Sequence, residues 1–121
     1  MKNDIILVAD DSPTELRLVV EVLRREGYQT VTATDGLEAV EVAKREQPRL
    51  AILDIIMPKQ NGFQATRQLK TTKETKDIKI VLLSSKNQES DRFWGLKQGA
   101  DDYISKPFAE ETLLAAVARF Y

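Results

Sequence analysis

The sequence contains no cysteine and no histidine. Without these residues the chain cannot form disulfides, thiolate nucleophiles, zinc sites with sulfur or nitrogen ligands, imidazole acid–base pairs or phosphohistidine relays. Whatever chemistry the chain performs must therefore use carboxylates, hydroxyls and lysines.

An excess of positive charge and long hydrophobic runs are missing as well. Eighteen Lys and Arg residues against nineteen Asp and Glu residues give a net charge of -1, without the basic excess typical of nucleic-acid and membrane-surface binders. We therefore expect no direct DNA binding. The longest apolar run near the start, residues 5–9, is too short for a signal-peptide core or a membrane span. Together these features predict a cytoplasmic protein with no membrane association.

The segments that are present predict one domain of the α/β class. A length of 121 residues suits a single domain, and 42% hydrophobic with 31% charged residues suit a buried core and a charged surface. Short apolar runs alternate with longer stretches of helical period, which predicts parallel strands covered by helices on both faces. We expect a doubly wound five-stranded parallel sheet in a single domain, residues 1–121, without an output domain. The predicted strands are residues 5–9, 30–33, 50–53, 80–83 and 103–104.

Five helices are expected between and after these strands. Ser12, Pro13 and Glu15 fit a capping box with a first-turn proline at the start of the first helix. Gly27 is a stop signal at its end, and its buried face is expected to carry Leu16, Val19, Val20 and Leu23. The other helices are expected from Asp35 or Leu37 to before Pro48, from about Gly62, from a cap near Ser90 to Gly99, and from about Glu110 to the end, with a solvated loop at residues 71–77.

Polar side chains stand at the carboxyl ends of the predicted strands. In parallel sheets these ends meet at one edge, where ligands bind. A single aspartate at such a position is usually a turn former, but several groups converging on one edge favour a functional site. The groups are Asp10 and Asp11 after the first strand, Asp54 after the third, Ser84 and Ser85 at the end of the fourth, and Lys106 after the fifth.

Charge at this edge favours a hard divalent cation. Three carboxylates in close contact repel one another unless positive charge intervenes, and oxygen ligands beside a phosphate favour Mg2+. Mg2+ and Lys106 together offset three carboxylates, and they can also offset the extra charge of a phosphorylated one. Asp54 is the best candidate acceptor, because it is a single carboxylate between the apolar residues 50–53 and 55–58. Asp10 and Asp11 are better placed to hold the metal.

The ordered set of motifs resembles the receiver domain of two-component response regulators, the CheY-like family, over essentially the whole chain. The resemblance implies a (βα)5 flavodoxin-like fold with the strand order 2-1-3-4-5 that CheY has. The matching residues are Asp10-Asp11, Asp54 with Met57-Pro58, Gly62, Ser84, and Lys106-Pro107-Phe108.

The resemblance also implies a role for each matching residue. A CheA-like sensor histidine kinase would phosphorylate Asp54, and Lys106 would pair with the phosphoryl oxygens. Asp11, Asp54 and the backbone carbonyl of Ile56 would ligate Mg2+, with Asp10 acting mostly through a bound water. Ser84 matches the switch hydroxyl that bonds a phosphoryl oxygen, and Tyr103 matches the aromatic residue that turns inward as that hydroxyl moves.

A narrower likeness connects the chain with single-domain PilH-type and cyanobacterial chemosensory regulators of type IV pilus motility. It rests on residues 10–15, 61–67, 84–86, 91–95 and 98–100, and it implies a downstream motility or signalling protein as partner. Three residues depart from the common pattern. Ala9 replaces valine and Ser85 replaces alanine, while Ile56 stands where chemotaxis receivers often have asparagine. Because Ile56 offers an attacking water no polar group, we expect slow self-dephosphorylation.

The fourth helix supplies a candidate partner surface. On a helical wheel Phe93, Leu96 and Ala100 form one apolar side, and Trp94 lies roughly 130 degrees from its centre. Trp94 is therefore expected outside the core, as a partly exposed aromatic packed on its neighbours or as a partner anchor. In the second case the face formed by the fourth helix, fifth strand and fifth helix carries the contact, with Trp94, Lys97 and Tyr103 as its residues.

Two other functions fit parts of the pattern. One is a Mg2+-dependent aspartyl-phosphate phosphatase or phosphotransferase, which needs a second acid two residues after the nucleophile, where this chain has Ile56. The other is a pseudo-receiver that binds partners without being phosphorylated, against which the complete acidic set and Lys106 argue. We expect a phosphoacceptor signalling domain with self-phosphorylation and autophosphatase chemistry only, and a monomer with a dimer as the alternative.

Overall fold

A computed structural model describes residues 3–121, which form five strands and five helices in strict alternation. The alternation confirms the predicted α/β class. In chain order the elements are β1 Asn3–Ala9, α1 Pro13–Arg25, β2 Gln29–Ala33, α2 Gly36–Glu46, β3 Pro48–Leu53, α3 Gly62–Thr71, β4 Lys79–Ser84, α4 Glu89–Lys97, β5 Asp102–Ser105 and α5 Glu110–Phe120.

The five strands form one parallel sheet in the order β2-β1-β3-β4-β5. This is the flavodoxin-like order that the family resemblance implied. Side chains alternate between the two faces of each strand, so β1, β3 and β4 contribute to two separate cores. Leu7, Leu53 and Leu82 belong to one core with residues of α2 and α3. Ile6, Ile52 and Val81 belong to the other with residues of α1 and α5.

The first three helices begin at or next to their predicted positions, but the capping box predicted for α1 is incomplete. Asp35 caps α2 by accepting from the Glu38 backbone N–H at 2.7 Å, and Asn61 caps α3 in a full capping box. Ser12 caps α1 by accepting from the Glu15 N–H at 3.4 Å. The Glu15 side chain does not return the bond as predicted, because its carboxylate pairs with Lys106.

The fourth helix differs from the prediction in both its start and its buried face. It begins at Glu89 with Gln88 as N-cap, so Ser90 lies in the first turn and is not the cap. Gly95 is the only buried residue among residues 89–97, whereas Phe93 is 64% and Leu96 40% exposed. A Cβ atom on Gly95 would lie 2.8 Å from Leu82 Cδ1. The helix backbone therefore rests directly on the sheet, and the apolar side chains beside Gly95 point outward.

The segment between α3 and β4 is less solvated than its composition predicts. Thr71 belongs to α3, and Thr75 is buried with its hydroxyl donating to the Leu69 carbonyl oxygen at 2.7 Å. Across residues 3–121, none of the helices combines the length and hydropathy required to cross a lipid bilayer.

The close packing of Gly95 yields a test of the fold. Gly95→Ala should lower the free energy of unfolding by about 1–3 kcal/mol, because a methyl group must displace Leu82 and Tyr103 and this outweighs the better helix propensity of alanine. Urea unfolding measures the change. Ser90→Ala, which creates an exposed alanine in the same helix, is the matched control and should stay within about 0.5 kcal/mol of wild type. Equal stability of the two variants would contradict this packing.

Candidate functional site

Strand pairing brings the predicted polar groups to one edge of the sheet. Ala9 pairs with Leu53 at the ends of β1 and β3, so Asp10 and Asp54 follow neighbouring strands, and the Asp54 N–H donates to the Ala9 carbonyl at 2.9 Å. Ser84 pairs with Ser105 at the ends of β4 and β5. The Lys106 N–H then donates to the Ser84 carbonyl at 2.9 Å, which fixes the backbone of the lysine beside β4.

Three carboxylates meet at this edge. Asp10, Asp11 and Asp54 each offer an oxygen, and these oxygens lie within 4.8 Å of one another. Asp10 and Asp54 are buried and Asp11 is exposed, so the cluster is open to solvent on one side. An all-oxygen donor set with one open side suits a hard divalent cation such as Mg2+, which keeps several of its waters. The residues present therefore fit the predicted metal.

Asp10 is held in place at both carboxylate oxygens. Its Oδ1 accepts the Ser12 N–H at 2.9 Å, and its Oδ2 accepts from Lys106 Nζ at the same distance. The Ser12 contact belongs to the turn that starts α1, so the helix start and the acidic cluster are built together. This fixed carboxylate provides an anchor for the lysine.

Lys106 is surrounded by three carboxylates. Its Nζ lies 2.6 Å from Glu15 Oε1, 2.9 Å from Asp10 Oδ2 and 3.8 Å from Asp54 Oδ1. Burial lowers the pKa of Lys106, but the hydrogen bonds with Glu15 and Asp10 and the charge of Asp54 outweigh burial and raise it. The ammonium therefore stays charged throughout the physiological pH range.

The Asp54 carboxyl group is largely buried. Burial raises its pKa from 3.8 to about 6, the Lys106 charge counteracts part of this rise, and the charge of Asp10 adds to it. The Ile55 N–H donates to Asp54 Oδ1 at 2.8 Å and favours the ionised form. At neutral pH the group is therefore an ionised carboxylate with weak solvation, which makes it a good nucleophile. Ile56, two residues later, is exposed.

Gly62 keeps the loop after Asp54 close to α3. A Cβ atom at this position would lie 2.3 Å from the Asp54 carbonyl oxygen and 2.8 Å from Ile55 Cα. The Gly62 N–H also donates to the Ile55 carbonyl at 2.8 Å. Because only glycine permits this approach, the Asn61-Gly62 start of α3 fixes the backbone that carries Asp54.

Ser84 and Tyr103 are linked through the backbone of Lys86. Ser84 is fully buried, and its Oγ accepts the Lys86 N–H at 3.2 Å. The Tyr103 hydroxyl donates to the Lys86 carbonyl oxygen. Tyr103 is only 4% exposed, so the prediction that its side chain forms part of a partner surface is wrong for this structure. Its ring fills the space beside Gly95, where α4 has no side chain.

Trp94 and Lys97 are exposed on α4 as predicted, but Trp94 faces a different neighbour. It lines a shallow groove with Phe63, Gln64 and Arg67 of α3. The expected position toward β5 and α5 is therefore corrected to one toward α3. Lys97 Nζ lies 5.7 Å from the centre of the Phe93 ring, on the outward side of the helix.

Glu15 is the site residue that the sequence analysis missed. Its position three residues after Ser12 predicted a capping role. In the structure its carboxylate instead makes the shortest contact to Lys106 in the site. A sequence signal for it exists, because Glu15 is an acidic residue in the first turn of the helix that directly follows β1, so it stays close to the carboxyl edge of that strand.

Comparison with known proteins agrees with this geometry. The chain is 46% identical over 112 residues to Protein PilH of Pseudomonas aeruginosa, with 93% of each chain covered. It spans about half the length of six other curated relatives, several of which are named as transcriptional regulators.

Solved structures give the same result. Chemotaxis protein CheY4 of Vibrio cholerae is 30% identical with a TM-score of 0.89, covering 97% of this chain and 98% of its own. The receiver domain of sensor histidine kinase PA1611 from Pseudomonas aeruginosa, with a magnesium ion coordinated in its active-site cleft, is 28% identical with a TM-score of 0.89, covering 98% and 97%. The response regulator receiver domain also matches this sequence over residues 6–118. The chain therefore belongs to the response regulator receiver family of two-component signalling domains.

Proposed function

We propose that this receiver domain accepts a phosphoryl group on Asp54 from a sensor histidine kinase in a Mg2+-dependent reaction. The observation that carries the proposal is a buried carboxylate with Lys106 Nζ at 3.8 Å and two further carboxylates within 4.8 Å. Asp11, Asp54 and the Ile56 carbonyl would hold the metal, with Asp10 nearby. When bound, Mg2+ supplies positive charge that offsets the carboxylates and the transferred phosphoryl group.

The residues of the chain position the two reacting groups. The Ile55 N–H holds Asp54 Oδ1, which leaves Oδ2 to attack phosphorus as the bond to the donor breaks and its electron pair leaves with the donor. Lys106 Nζ is close enough to turn from Asp54 toward the new phosphoryl oxygens. Its charge then stabilises a product that carries more negative charge than the carboxylate it replaces.

Ser84 and Tyr103 would transmit the modification to the surface. The Ser84 hydroxyl would donate to a phosphoryl oxygen, and the bond between its Oγ and Lys86 N–H carries that movement into the loop before α4. Tyr103 is already turned inward against the Lys86 carbonyl. The output surface of this proposal consists of α4, β5 and α5, with exposed Phe93, Leu96 and Lys97 available for a protein partner.

A role in chemosensory control of type IV pilus motility is the narrower part of the proposal. It is supported by the resemblance in the sequence motifs and by the 46% identity to PilH. Its partners would be a CheA-like kinase and a motility or signalling protein, in the cytoplasm. A domain of this kind transfers the phosphoryl group to and from itself and turns over no separate substrate.

Phosphorylation can be tested with acetyl phosphate. Incubation with Mg2+ should add one phosphoryl group by intact mass, and EDTA or Asp54→Asn should abolish it, because both remove a required part of the site. Asp4→Asn is the matched control, since Asp4 pairs with Arg49 at the opposite end of β1. Labelling that survives in Asp54→Asn would refute the assignment. Multiple turnover of unrelated phosphoesters would favour a phosphatase. A wild-type protein that takes up no phosphoryl group would favour a pseudo-receiver.

The side chain of Ile56 should slow loss of the phosphoryl group. It is exposed beside Asp54 and has no polar atom to orient an attacking water. We expect Ile56→Asn to shorten the phosphoryl half-life by about tenfold, within the range for one positioned polar group. Decay of the intact-mass signal after donor removal measures it, and Ile56→Leu is the control that retains an apolar side chain. A wild-type half-life no longer than that of Ile56→Asn would count against this role.

The raised pKa of Asp54 predicts a pH-dependent stability without metal. The folded chain binds the Asp54 carboxyl proton more tightly than the unfolded chain does. The stability gained from this proton is therefore complete below about pH 4 and is lost as the pH rises through about 6. In EDTA at pH 7, Asp54→Asn should therefore increase the free energy of unfolding by on the order of 2 kcal/mol, and by little at pH 4.

Urea unfolding at the two pH values measures this difference. Glu111→Gln, which removes an exposed carboxylate on α5, is the control and should change stability little at either pH. If wild type and Asp54→Asn differ in their free energy of unfolding by the same amount at pH 4 and pH 7, ionisation of Asp54 is not the cause of that difference.

A further inference from the structure

The closest partner of Lys106 is a carboxylate outside the acidic triad. Glu15 Oε1 lies 2.6 Å from Lys106 Nζ, whereas Asp54 Oδ1 lies at 3.8 Å, beyond the normal length of a hydrogen bond. The lysine side chain is 12% exposed and that of Glu15 is 48% exposed. In this structure the ammonium therefore points toward the start of α1 and not toward the proposed phosphoacceptor.

Phosphorylation of Asp54 would place a further anion beside this ammonium group. An ammonium group has three protons, and contacts to Asp10 and Glu15 engage two of them. Lys106 Nζ lies 3.8 Å from Asp54 Oδ1, and a shift of the lysine toward a phosphoryl group on that residue would lengthen its contact with Glu15. The two anions therefore draw the same cation in different directions.

Glu15 is the contact that can give way. Asp10 is buried, and its second oxygen is fixed by the Ser12 N–H at 2.9 Å. Glu15 lies in the first turn of α1 with half of its side chain in water, so a rotation about its side-chain bonds can solvate the carboxylate. Lys106 can therefore keep Asp10 and exchange Glu15 for a phosphoryl oxygen.

Glu15 also changes the charge balance of the site. Three aspartates are offset by Mg2+ and Lys106, but Glu15 adds a fourth carboxylate that no further cation among the described contacts of the cluster offsets. An incoming phosphoryl group thus meets surplus negative charge. This repulsion disfavours both the approach of an anionic donor and the phosphorylated product.

We propose that Glu15 competes with the phosphoryl group for the Lys106 ammonium and so lowers the phosphorylated fraction of the protein. The inference rests on the proposed phosphorylation of Asp54 and assigns a positioning role to a residue that touches neither the acceptor nor the metal ligands. Glu15 holds the lysine in the unphosphorylated protein, and it sets how much donor is needed to convert the site.

The test compares Glu15→Gln with Glu21→Gln. Glu21 is an exposed carboxylate on the same helix, in a groove with Arg24 and Arg25, so its variant removes the same charge from α1. With Mg2+ and limiting acetyl phosphate, the ratio of phosphorylated to unphosphorylated protein should rise about threefold to tenfold in Glu15→Gln, as expected for one nearby charge at partial exposure. In Glu21→Gln it should change by less than about twofold, since distant exposed charges are screened.

A second measurement tests the contact without metal or donor. Thermal midpoints in EDTA are compared for wild type, Glu15→Gln, Lys106→Met and the double variant. Glu15→Gln should be more destabilising in the wild type than in Lys106→Met, because only the wild type loses the ion pair. A residue with a general structural role would cost the same in both backgrounds.

Each outcome bears on a different statement. Equal phosphorylated ratios in the two glutamine variants, or a lower ratio in Glu15→Gln, would overturn the competition even if the wild type is phosphorylated on Asp54. Additive thermal midpoints would overturn the contact itself. A wild type that takes up no phosphoryl group on Asp54 would overturn the proposed function and the competition together, whatever the thermal midpoints show.

Discussion

The pairing of the Lys106 ammonium group with the surrounding carboxylates is the interaction on which the carboxyl edge of the sheet depends. Three carboxylates lie within 4 Å of the lysine nitrogen, and a fourth, that of Asp11, has an oxygen within 4.8 Å of oxygens of Asp10 and Asp54. Without a cation, like charges this close, two of them on buried side chains, would destabilise the site or favour protonation of a carboxylate. Burial is the main reason that the pKa of Asp54 is raised to about 6, and Lys106 counteracts only part of that rise while Asp10 adds to it. The folded site therefore retains an unmet demand for positive charge, which a bound divalent cation would meet.

The strand order creates this demand. Because β1 and β3 are neighbours in the sheet, Asp10 and Asp54, which directly follow these strands, lie side by side. The pairing of β4 with β5 brings Lys106 to the same edge from the other side. The buried strand residues supply the apolar area that stabilises the domain. Because of this stability, the carboxyl edge can hold a cluster of carboxylates that would be unfavourable by itself. Stability and function are thus divided between the middle of each strand and its end.

Sequence patterns were sufficient where a property is local or repeats along the chain. The apolar runs and the ordered polar residues at strand ends predicted the sheet and its edge, the turn signals placed the starts of α2 and α3 close to their observed positions, and the family resemblance added the strand order. They were insufficient where a contact between distant elements decides the outcome. Glu15 has the spacing of a capping residue, but a lysine 91 positions away provides a stronger partner. The wheel of α4 favoured Phe93 and Leu96 as the inward side, whereas the close fit of Gly95 on Leu82 and Tyr103 excludes any side chain there. Tyr103 was expected at the surface, but its ring is buried beneath α4 in a space that exists because Gly95 has no side chain. This space depends on a contact between α4 and β5, which a local pattern does not show.

The hydrogen-bond directions around Lys86 decide how a change at Asp54 can travel. Ser84 Oγ is the acceptor in its bond with the Lys86 N–H, so the hydrogen of the Ser84 hydroxyl remains free to donate elsewhere. A new bond to a phosphoryl oxygen therefore does not require the old one to break. The serine can draw the Lys86 peptide with it, and the carbonyl of the same residue holds the Tyr103 hydroxyl. Arg92 of α4 donates to the Tyr103 carbonyl at 2.7 Å, which ties the helix to the same strand. In the proposed switch, a displacement of Ser84 would thus pass along covalent bonds and retained hydrogen bonds to β5 and α4, and its cost would depend on how easily the loop before α4 deforms.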